Sequence, residues 1–247
     1  MFKTISTSGL AILGALTASL VLPMAASAAP FTLVNIETKG FDCDNASETG
    51  PGALNCAAGT TPDSIQWRQG DADVSSLNLL SIDNFGVFAG GPAVNITKLT
   101  HNNVVIPVAF NYTIDILNTL RVIDEDGGAI VLDDFNAVNI SFTETPNAGP
   151  CEEPLPLGPE CNDFFDFDAG DLAPVKFLVG DLHYLLIFEL VEGAGTFVDG
   201  TRVSTVENGT SELFVTARIV QVPEPMTLAL LGLGLLGIGF TTRQRKM

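Results

Sequence analysis

Basic residues are scarce in this sequence. Eleven lysines and arginines face 29 aspartates and glutamates, for a formal net charge of −18. A phosphate backbone needs a basic face, so this balance excludes nucleic acid as a partner. Histidine is scarcer still, with His101 and His183 alone, too few for a histidine-based metal site or a catalytic triad. The four cysteines form no Cys-x-x-Cys pair, which argues against zinc. No G-x-S-x-G or H-E-x-x-H pattern supplies a nucleophile or a metal-bound water. The body sustains no 3.6-residue apolar period. It shows no internal repeat either, so solenoids and propellers are excluded. Charged residues are only 16% of the 247, and hydrophobic residues 46%. A chain of that composition can bury a core and is not broadly disordered.

What is present is clearest at the two ends. Lys3 precedes an apolar run from Gly9 to Met24, broken by Thr17 and Ser19, and then Ala26-Ser27-Ala28. This order predicts a secretory signal peptide over residues 1–28, cut after Ala28 by signal peptidase. Near the other end, Val222-Pro223-Glu224-Pro225 leads into Met226–Phe240, apolar except for Thr227, and then into Arg243, Arg245 and Lys246. As a helix this run reaches about 22 Å, short of a bilayer core of about 30 Å. Thr241, Thr242 and the snorkelling basic side chains extend it. The reading is a single transmembrane helix with its basic tail in the cytoplasm. The body, residues 29–221, then stands on the far side of the inner membrane, and residues 222–247 form a sorting segment.

Pro223, Glu224 and Pro225, the short apolar helix, and the basic cluster of Arg243, Arg245 and Lys246 resemble, in that order, the PEP-CTERM sorting signal. The resemblance implies processing by an exosortase, a membrane-embedded transpeptidase of Gram-negative bacteria that make exopolysaccharide. It implies transient anchoring in the inner membrane, then a place at the cell surface or in the extracellular matrix. It specifies sorting and no biochemical activity. Gly232, Gly234, Gly237 and Gly239 lower the helix propensity of the segment, which suits a helix that is cut beside. Within the body, Thr100-His101-Asn102-Asn103 resembles the motif of the THxN family of PEP-CTERM proteins, with Thr100, His101 and Asn103 on its named positions. Ile65–Gly70 and Leu213–Ile219 extend the likeness less specifically. The family brings no activity with it. On chemical grounds, these short hydrogen-bonding side chains suit the pinning of a turn between two strands.

The body from Ala29 to Gln221 holds 28 of the 29 acids and 7 of the 11 bases. Short runs rich in Val, Ile, Thr and Phe, separated by Gly, Asn, Asp and Pro, predict strands. They cover residues 31–37, 64–68, 77–82, 93–100, 104–110, 112–117, 129–132, 137–143, 175–179, 184–190, 201–206 and 213–221. Their spacing predicts an all-β fold, an antiparallel β-sandwich. Alternation is plainest from Val138 to Thr143, with Val138, Ile140 and Phe142 toward the core. Trp67, the single tryptophan, reads as core, and His183 as a strand-end residue. Three pairings of the cysteines are open. Cys43–Cys56 and Cys151–Cys161 is the favoured one, each closing a loop of turn-forming residues in an oxidising compartment.

Residues 144–174, rich in proline and acid, read as a disulfide-tied excursion. Asp163, Asp166, Asp168 and Asp171 within it are calcium candidates, since clustered carboxylates suit a hard cation, and Asp124-Glu125-Asp126 is a second acidic loop. Three functional readings follow. The first is a non-enzymatic surface or matrix protein associated with exopolysaccharide or biofilm. The second is a carbohydrate- or calcium-binding module. The third is a matrix glycoside hydrolase, for which the abundant carboxylates offer no preferred pair.

Overall fold

The computed structural model describes residues 30–50, 53–68, 74–82, 85–106, 109–123, 128–132, 137–146, 151, 156–158 and 161–222. The signal peptide expected over 1–28, the sorting segment from Pro223 onward and the acidic loop 124–126 lie outside them. Among the described residues, no helix is long and apolar enough to cross a membrane; the expected transmembrane helix falls beyond them.

The described residues form two antiparallel sheets. One runs in the order β13 (Thr196–Asp199), β14 (Arg202–Thr205), β10 (Asp163–Phe167), β9 (Ala137–Glu144), β7 (Phe110–Ile123), β1 (Pro30–Thr49) and β5 (Phe85–Phe88), with β8 (Ala129–Leu132) also on β7. The other runs β11 (Val175–Val179), β12 (Leu182–Glu192), β15 (Gly209–Val222), β6 (Val94–Asn103), β4 (Ser75–Ser81), β3 (Ser64–Arg68) and β2 (Ala53–Asn55). The expected antiparallel sandwich is what forms. Period-two sequence drives it: on β9, Val138, Ile140 and Phe142 are buried while Asn139, Ser141 and Thr143 are half-buried.

The core divides into two clusters. The first is aromatic and joins both sheets, with Phe41, Trp67, Phe110, Tyr112, Phe142 and Phe165 among its members. Trp67 is 1% exposed, its ring 4.8 Å from that of Phe142 and 5.2 Å from that of Tyr112. The second lies around Ile96, Val122, Phe177, Tyr184, Leu186, Phe188 and Ile219.

Strand β1 is long because it bends. Its register against β7 shifts three times, and one shift falls at Gly40, where φ is +93°. A Cβ there would lie 2.4 Å from the Pro62 carbonyl oxygen, so only glycine fits this bulge. The close approach lets the Phe41 N–H donate to Pro62 at 2.8 Å. The favoured disulfide pairing forms, Cys43–Cys56 and Cys151–Cys161.

Two expectations need correction. The strand expected over Val104–Phe110 is not what its described residues form: β6 runs on to Asn103, residues 104–106 and 109 are not strand, and β7 begins at Phe110. The Val104 N–H goes to Ser75 Oγ at 3.1 Å instead of to a ladder. The excursion from 144 to 174 is also interrupted by strand β10, which sits between β9 and β14. Its Asp-Phe-Phe-Asp-Phe sequence alternates like any strand, with Phe165 and Phe167 inward.

Candidate functional site, a buried acidic centre

Three strand ends and one connection converge at one end of the aromatic cluster. Glu144 is the last residue of β9, Asp163 the first of β10, Asn103 the last of β6, and Glu207 lies in the connection that crosses from β14 to β15. That crossing turns on Asn208, which takes φ +52°, a left-handed conformation that asparagine tolerates. Glu144 and Asp163 are 0% exposed, Asn103 3% and Glu207 7%. One ligand oxygen from each of Glu144, Asp163 and Glu207 lies within 4.8 Å of the others. A buried carboxylate costs several kcal/mol unless it is paired or hydrogen-bonded, so each of these needs a reason to be there.

Hydrogen bonds between the two sheets supply part of that reason. Asn103 Nδ2 donates to Asp163 Oδ2 at 2.6 Å, to Glu207 Oε2 at 3.0 Å and to the Val206 carbonyl at 3.2 Å. The Trp67 indole N–H donates to Glu144 Oε2 at 3.1 Å. Asp163 Oδ1 accepts from the Thr145 N–H at 2.7 Å. Beside these bonds, Glu144 Oε1 meets no donor, though its carboxyl faces that of Asp163, and the Tyr112 hydroxyl has no partner. Among the described residues, no lysine or arginine pairs with Glu144 or Asp163.

The electrostatics follow from this burial. Desolvation, then the neighbouring charges of Asp163 and Glu207, push the Glu144 carboxyl well above the usual range. Desolvation and Glu207 raise Asp163, against the hydrogen bonds from Thr145 and Asn103. Tyr112 is raised by burial and by the charges of Glu144 and Asp163, which places its hydroxyl in the field of the same carboxylates. His101 is lowered to about 3 by burial and is neutral. Its Nδ1 lies 3.0 Å from Thr205 Oγ1. That hydroxyl spends its own proton on the Asp163 carbonyl at 3.3 Å, so Nδ1 carries the imidazole proton. Nε2 is left without a partner, beside a cavity of about 10 Å³, at the lower limit for one water. The imidazole stacks on Trp67 at 5.3 Å and meets Phe165 edge-on at 5.2 Å.

Thr100, His101 and Asn103 therefore do not form a turn. They lie in β6, with His101 and Asn103 facing inward and Thr100 half-buried on the other side. The hydrogen bonds of His101 and Asn103 cross the sandwich instead of closing a loop. The four aspartates grouped as calcium candidates also separate. On β10 the period of two sends Asp163 into the core and Asp166 outward. Asp166 there receives both Nε and Nη2 of Arg202, at 2.7 and 2.9 Å, and that guanidinium lies 4.3 Å over the Phe164 ring. Asp168 caps its own turn, accepting the Gly170 N–H at 2.6 Å. Asp171 accepts the Asn139 N–H at 2.9 Å. Only Asp163 belongs to the centre. Its partners Glu144 and Glu207 carry no local spacing signal in the sequence; sheet order alone gathers them.

The other sequence signal of function is continuous with the fold. Residues 221–246 match the PEP-CTERM protein-sorting motif. The described part of that match, Gln221 and Val222, ends β15, which lies between β12 and β6 inside its sheet. No curated protein matches the chain. The sorting motif marks the chain as an exported bacterial protein, carried to the cell surface by an exosortase.

Proposed function

We propose that this is a non-enzymatic exported protein of the THxN kind. It is cut by signal peptidase, held briefly in the inner membrane of a Gram-negative cell, then released or attached by its exosortase. It serves at the cell surface or in the matrix beside exopolysaccharide. The observation that carries this reading is the sorting motif, joined to β15 without an intervening residue, since the strand ends at Val222. The disulfides Cys43–Cys56 and Cys151–Cys161 suit the oxidising compartment it reaches. The burial of Glu144, Asp163 and Glu207 favours a structural role over glycoside hydrolysis, because paired catalytic carboxylates must flank a sugar. Intact mass spectrometry of the protein from hosts with and without the exosortase tests the reading. Loss of Arg243, Arg245 and Lys246 in the exosortase-positive host alone is expected; their retention there overturns it.

A carbohydrate-binding reading is favoured by one surface feature. A groove of about 250 Å³ is lined by Phe164, Phe197, Asn162, Asp199, Arg202 and Ser204, with Phe197 exposed. Exposed aromatic rings beside polar groups suit a sugar face. Calorimetry with host polysaccharide should give heat that falls in Phe197→Ala; no heat removes this reading.

A further inference from the structure

The geometry points to a divalent-cation site of the calcium class, built by Glu144, Asp163 and Glu207 where the two sheets meet. Three buried carboxylates from three separate segments bring oxygens within 4.8 Å of one another. Such a set concentrates negative charge where water cannot screen it, and a bound cation relieves that. Two further observations point inward. Glu144 Oε1 meets no donor although Glu144 is 0% exposed and its carboxyl faces that of Asp163, and the Tyr112 hydroxyl has no partner although Tyr112 is 2% exposed. Native proteins seldom leave such atoms bare unless an ion or water meets them.

The donor set is oxygen throughout, which selects a hard cation over zinc or copper. The Val206 carbonyl lies in the same network, 3.2 Å from Asn103 Nδ2. Asn103 presents its amide nitrogen to Asp163 and Glu207. A half-turn about its terminal bond would present the amide oxygen instead, so Asn103 can face either the carboxylates alone or an ion among them. The site does not depend on the sorting motif, and failure of the one leaves the other standing.

Trp67 provides a local reporter. It is the only tryptophan in the chain, and its indole N–H touches Glu144. The full chain, in detergent and stripped with EDTA, is titrated with terbium under tryptophan excitation. Sensitised terbium emission is expected, with calcium displacing it and raising the melting temperature. Glu207→Gln, on a turn and nearly isosteric, should weaken terbium binding at least tenfold. Asp166→Asn and Asp171→Asn should leave it unchanged. Glu144→Gln should abolish the emission; where that variant does not fold, Glu207→Gln carries the test. Absence of sensitised emission from the unaltered chain overturns the site and leaves a centre that holds protons only. Emission that persists unweakened in Glu207→Gln places the ion elsewhere and overturns it equally.

Discussion

The two core clusters of this sandwich are built from similar apolar residues but differ in what they enclose. The cluster around Phe177, Tyr184, Leu186, Phe188 and Ile219 joins its strands by apolar burial and by a backbone tie, the Gly90 N–H donating to the Ile219 carbonyl at 2.8 Å. The cluster around Trp67, Tyr112, Phe142 and Phe165 packs its rings against a neutral histidine and borders three carboxylates. There, side-chain bonds such as Asn103–Asp163 and Trp67–Glu144 cross between the sheets, whereas the tie beside the other cluster runs from backbone to backbone. The contrast shows that aromatic packing can shield a charged joint, and that the joint then depends on whatever neutralises it.

Truncation separates the two clusters first. Phe142→Ala, in contact with the four rings of Trp67, His101, Tyr112 and Phe165, should cost about 4 kcal/mol, and Phe188→Ala about 3 kcal/mol. Urea unfolding checks both, and equal costs would say that the acidic centre adds no sensitivity. Asn103→Leu comes next. It removes the donor shared by Asp163 and Glu207 and should cost about 3 kcal/mol without calcium. Calcium should restore part of that loss, a recovery the second cluster has no means to show.

Acid comes third. His101 takes up no proton in the folded state until the pH nears about 3, whereas an unfolded histidine does so near 6.5. Its contribution to stability is therefore present above about 6.5 and lost as pH falls toward 3, with a limiting slope of about 1.4 kcal/mol per pH unit. Glu144 and Asp163 act in the opposite sense. Raised in the fold, Asp163 to about 7 and Glu144 to about 10, they favour the cation-free protein below about pH 4 and lose that contribution as pH rises from there through those values. His101→Phe keeps a ring beside Trp67. This variant should flatten the acid limb measured by thermal melts, while an unchanged limb assigns it to other groups. The smallest effect belongs outside both clusters. Arg218→Ala breaks the exposed pair with Glu189, at 3.3 Å, and should change stability by less than about 0.5 kcal/mol.

The fold was legible where its causes are local. Alternation over Val138–Thr143 is read along one strand, and Cys43 and Cys56 close a short loop. Trp67 was assigned to the core from its strand alone. The acidic centre was not legible, because its members stand at 144, 163 and 207 and meet only through sheet order. Proximity in sequence grouped Asp163 with Asp166, Asp168 and Asp171, yet the pleat turns Asp163 and Asp166 to opposite faces. Thr100–Asn103 stood out as a motif, but its polar side chains looked like a turn. A strand whose inward polar groups find partners across the sandwich has the same composition.

An experimental structure of the protein grown with calcium tests the cation site most directly. The account predicts an ion bounded by Glu144, Asp163 and Glu207, with Glu144 Oε1 among its ligands. Carboxyl groups bonded directly to one another, with no density between them, would contradict it.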